Sequence, residues 1–302
     1  MDRSRRTIIL SIVFVSSILV ALFSYNYFTQ TANQIQELAI NDLQTNAEIE
    51  AYSISNSLSN AISAITSNLI IIANSPSTME GNISRIQTLL NSGLKSTSDL
   101  TDGYYYLDNA GKLKTFTGIE KEQNKGYRDV DLSYREYFQI PKENLIPYIS
   151  TVIDSNDNVP RMYISFPILE TNQTTAISSD PQSGINQTSF KGVIVASIAA
   201  KALGNYLEGQ IHSKFDGDIA FIDRNGTIIY SQNQTFIGKD VFGNDFQPYL
   251  NSILKDKTVE FNNIIGKALK SEGGSSEFNF ENTSTTIAYD PVAGPGITSN
   301  PQ

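Results

Sequence analysis

The sequence contains no cysteine and only one histidine. Without cysteine the chain forms no disulfides, offers no thiolate to a metal ion and has no thiol nucleophile. One histidine cannot make a histidine-rich metal site, and it argues against a Ser-His-Asp triad. We predict that this residue, His212, lies at the surface. The fold therefore depends on its apolar core, and 302 residues are enough to bury one.

Positive charge is also scarce. The 22 Lys and Arg residues stand against 31 Asp and Glu residues, which leaves a net charge of -9. Nucleic-acid binding requires a basic face that replaces counterions on the phosphate backbone. The charge balance therefore predicts no nucleic-acid partner.

Several signatures of site chemistry are missing as well. The sequence has no Gly-Lys-Ser/Thr phosphate loop, and no two carboxylates stand out as an acid/base pair. Residues 154–158 resemble part of a calcium loop, but they lack its glycine and its later acidic ligand, which favours a hairpin loop. These absences predict a protein that is not an enzyme and that holds neither a cofactor nor a metal ion.

Near the N-terminus, residues 7–24 form an uncharged and mostly apolar run. As a helix this run reaches roughly 27 Å, close to the ~30 Å hydrocarbon core of a bilayer. Aromatic residues at 25–28 are typical of the belt at a membrane surface. The positive-inside rule places the N-terminus in the cytoplasm, because three arginines precede the run: Arg3, Arg5 and Arg6.

We therefore predict a single-pass cell-membrane protein. Residues 1–6 form the cytoplasmic tail, residues 7–28 the transmembrane helix, and everything that follows is extracellular. The competing interpretation is a cleaved signal peptide, but no small-x-small cleavage site follows the apolar run. No second apolar stretch of spanning length occurs later in the chain.

A long helix is predicted to continue from the membrane over residues 29–75. The segment contains neither glycine nor proline before Pro76. Its second half has apolar residues at gaps of four and three, as a helix with one buried face requires: Ile54, Leu58, Ile62, Ile65, Leu69 and Ile72. The first half sustains no such repeat, so the sequence leaves open whether it forms the stalk of a homodimer.

A shorter helix at 81–95 precedes a region of β-strands. The strands are predicted at 104–107, 113–119, 148–154, 162–169 and 191–198. Residues 171–189 lack periodicity and predict an exposed loop, and a short helix is predicted after Ala199, to about residue 211.

The next part of the chain repeats an earlier pattern. Residues 219–230 repeat the plan of residues 105–113, namely a strand, an Asp-x-x-Gly turn and a second strand. A helix at 245–255 and strands at 277–280 and 286–290 complete this part. Two such units, each following a helix, indicate two related modules.

This order of elements resembles the double Cache family, the extracellular sensors of prokaryotic chemoreceptors and sensor histidine kinases. The resemblance covers about residues 30–295 and depends on six strings: DLSYREYF (131–138), PYIS (147–150), GVIV (192–195), FIDRNGTII (221–229), IGKD (237–240) and YDPV (289–292). It implies an α+β fold of two tandem PAS-like modules with antiparallel sheets. The distal module would span 76–200 and the proximal module 201–295, with a tail at 296–302.

The resemblance also implies where a ligand binds. Family members that bind amino acids are similar in an Arg-x-Trp-Tyr string, whose Arg meets the ligand carboxylate. Here Arg135 matches the Arg, and Tyr137 and Phe138 stand where Trp and Tyr would be. An alternative for Arg135 is a surface ion pair with Asp131 or Glu136.

Two further features of those members bind the ligand ammonium, namely a Tyr-x-Asp string and an Asp on the last strand. Tyr148 matches the Tyr, but Ser150 and Ser197 replace the two Asp residues. A buried ammonium without a counter-charge is costly, whereas an arginine grips a carboxylate well. We therefore predict a small carboxylate or another polar solute, not a free amino acid. Tyr163 and Tyr106 complete the predicted site, although strand tyrosines are more often core.

Two other functions remain open. The chain could be a surface protein that binds another protein and no small molecule, and a closed apolar core near Arg135 would favour that alternative. An anchored hydrolase has little support, because the site chemistry is missing. The sequence also leaves open whether the chain is a truncated receptor or a binding protein that needs a separate signalling partner.

Overall fold

The computed structural model describes residues 3–118, 128–155, 157–172, 187–211, 217–270, 273–280 and 283–294. His212 and the tail at 296–302 lie outside these residues. No helix in the described part of the chain is long and apolar enough to cross a membrane. The predicted span at 7–28 overlaps the first helix, and the side chains of its residues 7–17 lie outside the described ones.

The first helix, α1 (Arg3–Ala73), is a continuous rod of 71 residues and about 107 Å. The predicted apolar stripe of its second half is confirmed, because five of its members are buried: Leu58, Ile62, Ile65, Leu69 and Ile72. The helix ends where the sequence predicts. Ser75 caps the short α2 (Pro76–Met79) by accepting a hydrogen bond from the Thr78 amide, and Pro76 opens that helix.

The distal part contains one antiparallel sheet, whose strands differ in length. Its elements are α3 (Ile83–Ser96), β1 (Gly103–Asp108), β2 (Leu113–Thr117), α4 (Glu136–Asn144), β3 (Tyr148–Ile149), β4 (Ile153–Asp154), β5 (Pro160–Asn172) and β6 (Gln187–Ala199). The strand order is β2-β1-β6-β5-β3, and β4 also pairs with β5.

Two predictions for this sheet need correction. The strand predicted at 148–154 is interrupted, because only its ends pair with β5 as β3 and β4. The predicted loop at 171–189 is shorter, because Thr171 pairs with Thr188 and Asn172 with Gln187. Long-range pairing between β5 and β6 supplies the hydrogen bonds that the polar composition did not indicate. Residues 173–186 lie outside the described residues.

The distal sheet has two buried faces. One face packs on α1 and α3, and we call it the helix face; it includes Tyr104, Tyr106, Met162, Ile164, Ile194 and Ile198. The other packs against α4, and we call it the α4 face; it includes Tyr105, Leu107, Tyr163, Val193 and Val195. Successive residues of each strand alternate between the two faces, as the pleat requires.

The proximal part follows β6 directly. Its elements are α5 (Ala200–Gln210), β7 (Ala220–Ile222), β8 (Ile228–Ser231), α6 (Gln247–Leu254), α7 (Thr258–Ala268), β9 (Gly274–Phe280) and β10 (Thr283–Tyr289), with short 3₁₀ helices at Gln234–Phe236 and Lys255–Lys257. The strands form two hairpins, β7–β8 and β9–β10. Helix α7 is not among the elements predicted from the sequence.

The two parts repeat one hairpin geometry. Asp108 accepts hydrogen bonds from the amides of residues 110 and 112, and Asp223 accepts them from residues 225 and 227. Gly111 and Gly226 occupy the same turn position with positive φ angles of 82° and 89°. The α+β fold with antiparallel sheets is thus confirmed, and the exact module boundaries stay a prediction.

The contacts of α1 differ between the two parts. Toward the distal sheet they are apolar, whereas toward the proximal part serine hydrogen bonds add to an apolar core that α1 shares with Leu203, Leu207 and Ile229. Ser55 donates to Asp290, Ser57 donates to Gln210 at 2.7 Å, and the Ala293 amide donates to Ser59 at 2.8 Å. The proximal part is therefore joined to α1 both by this apolar packing and by hydrogen bonds, and the hydrogen bonds exchange with water at modest net cost.

Candidate functional site

Three phenol side chains meet on the α4 face of the distal sheet. Tyr105 on β1 and Tyr163 on β5 lie opposite Val195 and Ser197 of the strand between them. Tyr137 comes from the first turn of α4, and its ring centroid is 4.6 Å from that of Tyr163. We call Tyr105, Tyr137 and Tyr163 the phenol cluster.

Burial disfavours the ionised form of these phenols. It raises the pKa of Tyr105, Tyr137 and Tyr163 above the ordinary value of 10.0, because the phenolate would lose its hydration. Each of the three hydroxyls therefore retains a proton at neutral pH. A protonated phenol can donate a hydrogen bond to an acceptor placed beside the cluster.

Arg135 lies at one side of the phenol cluster. It is the N-cap residue of α4, with extended backbone, and its amide donates to the Leu132 carbonyl. Its guanidinium lies 5.0 Å from the ring centroid of Tyr134. The same positive charge lowers the pKa of the Tyr137 and Tyr163 phenols and so partly offsets the effect of burial.

Arg161 lies at the other side of the cluster, two residues before Tyr163 on β5. Its Nε donates to Asp102 at 2.6 Å, and its Nη1 donates to Asp157 at 2.6 Å and to Ser155 at 2.5 Å. The two ion pairs raise the pKa of Arg161, although its burial acts in the opposite direction. Burial acts to raise the pKa of the Asp157 carboxyl, but the hydrogen bond and the charge of Arg161 contribute to lowering it.

Ser197 connects this ion cluster with the phenols. Its hydroxyl donates to the second oxygen of Asp102 at 2.6 Å and lies 3.2 Å from the Tyr105 hydroxyl. Since the serine proton goes to the carboxylate, the phenol is the donor in the second contact. Asp102 thus binds Arg161 directly and reaches Tyr105 through Ser197.

The structure brings together four of the eight predicted site residues, namely Arg135, Tyr137, Tyr163 and Ser197. Phe138 is core, because its ring packs 5.7 Å from that of Phe190. Tyr148 lies at the edge of α4 and donates to Glu136 at 2.8 Å.

Ser150 has a structural role instead. Its hydroxyl accepts a hydrogen bond from the Tyr163 amide at 2.8 Å and donates to the Thr151 carbonyl at 2.7 Å. Both hydrogen-bonding directions of this buried side chain serve the backbone. Ser150 replaces a ladder bond where the strand is interrupted after Ile149.

Tyr106 does not belong to this constellation, which corrects the sequence prediction. It lies on the helix face, whereas its neighbour Tyr105 reaches the α4 face. The alternation of strand side chains already indicated that adjacent tyrosines point apart. The same alternation places Arg161 on the face of Tyr163, although Arg161 is not among the predicted site residues. Asp102 and Asp157 carry no local signal, because only the fold brings them to Arg161.

A concavity lies in the proximal part between α7 and β9. This groove of about 930 Å³ is open to solvent and is lined by residues that include Glu260, Lys267, Lys270 and Ser276. It lacks a convergent set of buried donors, so the α4 face of the distal sheet is the better candidate. Among the described residues, no group of acidic or histidine side chains could hold a metal ion.

The chemistry of the distal constellation is that of binding. The Tyr137 and Tyr163 phenols and the Arg135 guanidinium carry donors, the Tyr105 proton goes to Ser197, and both carboxylates of the ion cluster are engaged by Arg161. Such a set suits a ligand that carries acceptor oxygens, above all a carboxylate.

Solved structures share this fold. A domain of a protein described as a sensory box/GGDEF family member from Vibrio parahaemolyticus matches with a TM-score of 0.56 at 14% identity, covering 83% of this chain and 97% of that one. The ligand-binding domain of the Pseudomonas aeruginosa amino acid chemoreceptor PctB in complex with L-Arg matches with a TM-score of 0.54 at 14% identity, covering 85% and 84%.

An extracellular ligand binding receptor from Desulfohalobium retbaense also matches, with a TM-score of 0.54 at 15% identity. The match covers 79% of this chain and 36% of that structure, so this chain spans about a third of its length. A sequence comparison with curated proteins found no significant match.

The family itself follows from the sequence. The Cache domain model dCache_1 matches residues 31–298, which include both sheet-bearing parts and most of α1. The resemblance inferred from the six short strings is therefore confirmed, and Cache domains are sensor and ligand-binding modules. The chain belongs to the dCache_1 family of Cache domains.

Proposed function

We propose that this chain is the extracellular small-molecule sensing domain of a membrane-anchored signal-transduction receptor. The ligand binds on the α4 face of the distal sheet, and it is a small carboxylate or another acceptor-rich polar solute. The single observation that carries the proposal is the phenol cluster flanked by Arg135 and Arg161. A buried group of donors with few free acceptors is matched by an anion.

The internal repeat supports the distal part as the ligand site. The Arg135 amide bonds to Leu132 and its carbonyl accepts from Gln139; Gly243 makes the same pair of bonds with Asp240 and Gln247. The proximal part thus has the same backbone geometry but no cation at the matching position.

Free amino acids are poor candidates for this site. Their ammonium group needs an unengaged carboxylate, and both Asp102 and Asp157 are already paired with Arg161. Amino-acid-binding relatives resemble one another in an Asp at the position of Ser150. Here the Ser150 hydroxyl makes two hydrogen bonds to the backbone instead. The amino acid in the PctB structure therefore supports ligand binding in general but not the same ligand class here.

Signal transmission would use α1. The apolar run at residues 7–24 anchors the chain in the membrane, and α1 connects that run to both parts of the fold. A ligand-induced shift would exchange the hydrogen bonds between α1 and the proximal part at modest net cost.

The direct test is a thermal unfolding screen of the full chain in detergent. Circular dichroism at 222 nm is a suitable signal, because the sequence contains no tryptophan. Small organic acids should raise the melting temperature, since a ligand that binds only the folded state stabilises it by mass action. Amino acids, amines, purines and sugars complete the screen.

The matched variants are Arg135→Gln and Arg85→Gln, each of which removes one guanidinium. Arg85 is exposed on α3, which packs on the opposite face of the sheet. We expect the acid-induced shift to disappear in Arg135→Gln and to persist in Arg85→Gln. If no compound shifts a well-folded sample, the ligand proposal fails and a protein-binding role gains support.

A further inference from the structure

Arg161 is enclosed by acceptor groups from separate parts of the chain. Asp102 precedes β1, whereas Ser155 and Asp157 lie in the hairpin between β4 and β5. All three accept hydrogen bonds from the guanidinium at 2.5 to 2.6 Å. We call Asp102, Ser155 and Asp157 the acceptor cage. A guanidinium held by two carboxylates is among the stronger charge-assisted pairings in proteins.

The acceptor cage adjoins the phenol cluster. Asp102 uses one oxygen for Arg161 and the other for Ser197, whose hydroxyl is 3.2 Å from that of Tyr105. The cage and the candidate ligand site therefore share a continuous row of hydrogen bonds. A group that replaced the Arg161 guanidinium would lie beside any ligand bound at the phenols.

The charge and the partial exposure of the cage suit a cation. Two carboxylates and one guanidinium leave a local charge of minus one, and without Arg161 the two acids would lack their counter-charge. The side chains are 13% exposed for Arg161, 28% for Asp102 and 22% for Asp157. The cage is thus buried enough to penalise an uncompensated charge and open enough for a small solute to enter.

We propose that Arg161 occupies a cation subsite of the candidate ligand site and thereby excludes ligands that carry an ammonium or guanidinium group. The inference rests on the proposed function, whose ligand class it explains. A ligand amine would have to displace a guanidinium that is tethered to its own backbone. Tethering gives that guanidinium a high effective concentration, so dilute amines lose the competition.

The test replaces Arg161 with alanine and adds the deleted cationic group in solution. Arg161→Ala deletes the atoms of ethylguanidinium, so this cation is the exact probe, with n-butylammonium as the amine probe. In wild type we expect neither probe to change the melting temperature. In Arg161→Ala both should raise it, by about 3 °C at ten times the dissociation constant.

Three controls separate the cage from general salt effects. Tetramethylammonium carries the same charge but no N–H donor, and it should not raise the melting temperature of Arg161→Ala. Arg85→Ala, an arginine deletion outside the cage, should gain no response to either probe. Arg161→Ala combined with Asp102→Asn should lose the response, because the cage then lacks a carboxylate.

Two results would overturn the proposal. One is a folded Arg161→Ala protein that responds to neither probe, and the other is a wild-type protein that responds as strongly as the variant. If Arg161→Ala does not fold in buffer, it is refolded with each cation. Recovery with ethylguanidinium but not with tetramethylammonium supports the cage, and no recovery with either rejects it.

The result is separable from that of the acid screen. If wild type binds no acid but Arg161→Ala gains amine binding, the ligand class proposed above is wrong and the cation subsite stands. If wild type binds an acid through Arg135 but Arg161→Ala gains nothing, the ligand class stands and Arg161 is only a structural ion pair.

Discussion

At the scale of single residues, one position along a strand decides what a side chain does. Tyr105 and Tyr106 have the same chemistry, yet the first reaches Ser197 on the α4 face and the second packs in the core against α1 and α3. The cause is the two-residue period of a strand. Ser150 shows a related effect, because its place at a strand break commits its hydroxyl to the backbone.

The role of Ser150 is tested by Ser150→Ala. The variant leaves the buried Tyr163 amide without its acceptor, so we expect the free energy of unfolding to fall by about 1–3 kcal/mol. Urea unfolding followed by circular dichroism measures the change. Ser67→Ala is the matched control, because Ser67 is exposed and bonds only within α1. An unchanged stability in Ser150→Ala would restore this serine as a candidate for ligand contact.

At the scale of elements, α1 has two apolar sides. One packs against the distal sheet over residues 58–72. The other is exposed and lies nearer the N-terminus: Ile35, Leu38, Ile49 and Tyr52 are 58% to 63% exposed. The spacing from 35 to 49 and from 38 to 52 is two heptads, which is the period of a coiled-coil seam, although Asp42 and Thr45 interrupt it.

This exposed stripe predicts that two copies of α1 pack together. Because the chain has no native cysteine, single-cysteine variants report proximity directly. Under mild oxidation in detergent or membranes, we expect Ile35→Cys to form a disulfide-linked dimer. Asn33→Cys lies about 200° away around the helix and should remain monomeric. Equal cross-linking of both variants, or of neither, would argue against a dimer through this stripe.

At the scale of the whole molecule, buried tyrosines in both parts of the fold make its stability depend on pH in the alkaline range. Burial raises the pKa of seven tyrosines in the described residues: Tyr104, Tyr105, Tyr106, Tyr137, Tyr148, Tyr163 and Tyr230. For Tyr230, burial and the hydrogen bond to Glu208 raise the pKa to about 12. A phenol with a raised pKa binds its proton more tightly in the folded state than in the unfolded state.

The sign of the effect follows from proton linkage. Each such tyrosine contributes stability that is fully present below the unfolded pKa near 10 and is lost as pH rises through the folded pKa. We expect the free energy of unfolding to fall steadily between pH 10 and 12. Urea unfolding across this range measures the slope.

Tyr230→Phe should make that slope shallower, because it removes one of the linked protons. Tyr134→Phe is the control, since Tyr134 is 58% exposed and should leave the slope as it is. A slope that is the same in wild type and Tyr230→Phe would show that this phenol does not couple to folding.

The sequence alone was enough for features that depend on local periodicity. The buried stripe of α1, its end before Pro76 and both Asp-x-x-Gly hairpins follow from spacing and turn chemistry, and the family follows from the order of short strings. The stripe, the helix end and each hairpin lie within about twenty residues of chain, where helix and strand geometry relate position directly to direction.

The tertiary structure decided what depends on partners far apart in the chain. Arg161 meets Asp102 across 59 residues and Ser197 meets Asp102 across 95, and no local pattern relates such positions. Strand pairing likewise extended β5 and β6 into a segment of loop-like composition. Local spacing sets which face a side chain takes, but only the packed sheet sets which charges share that face.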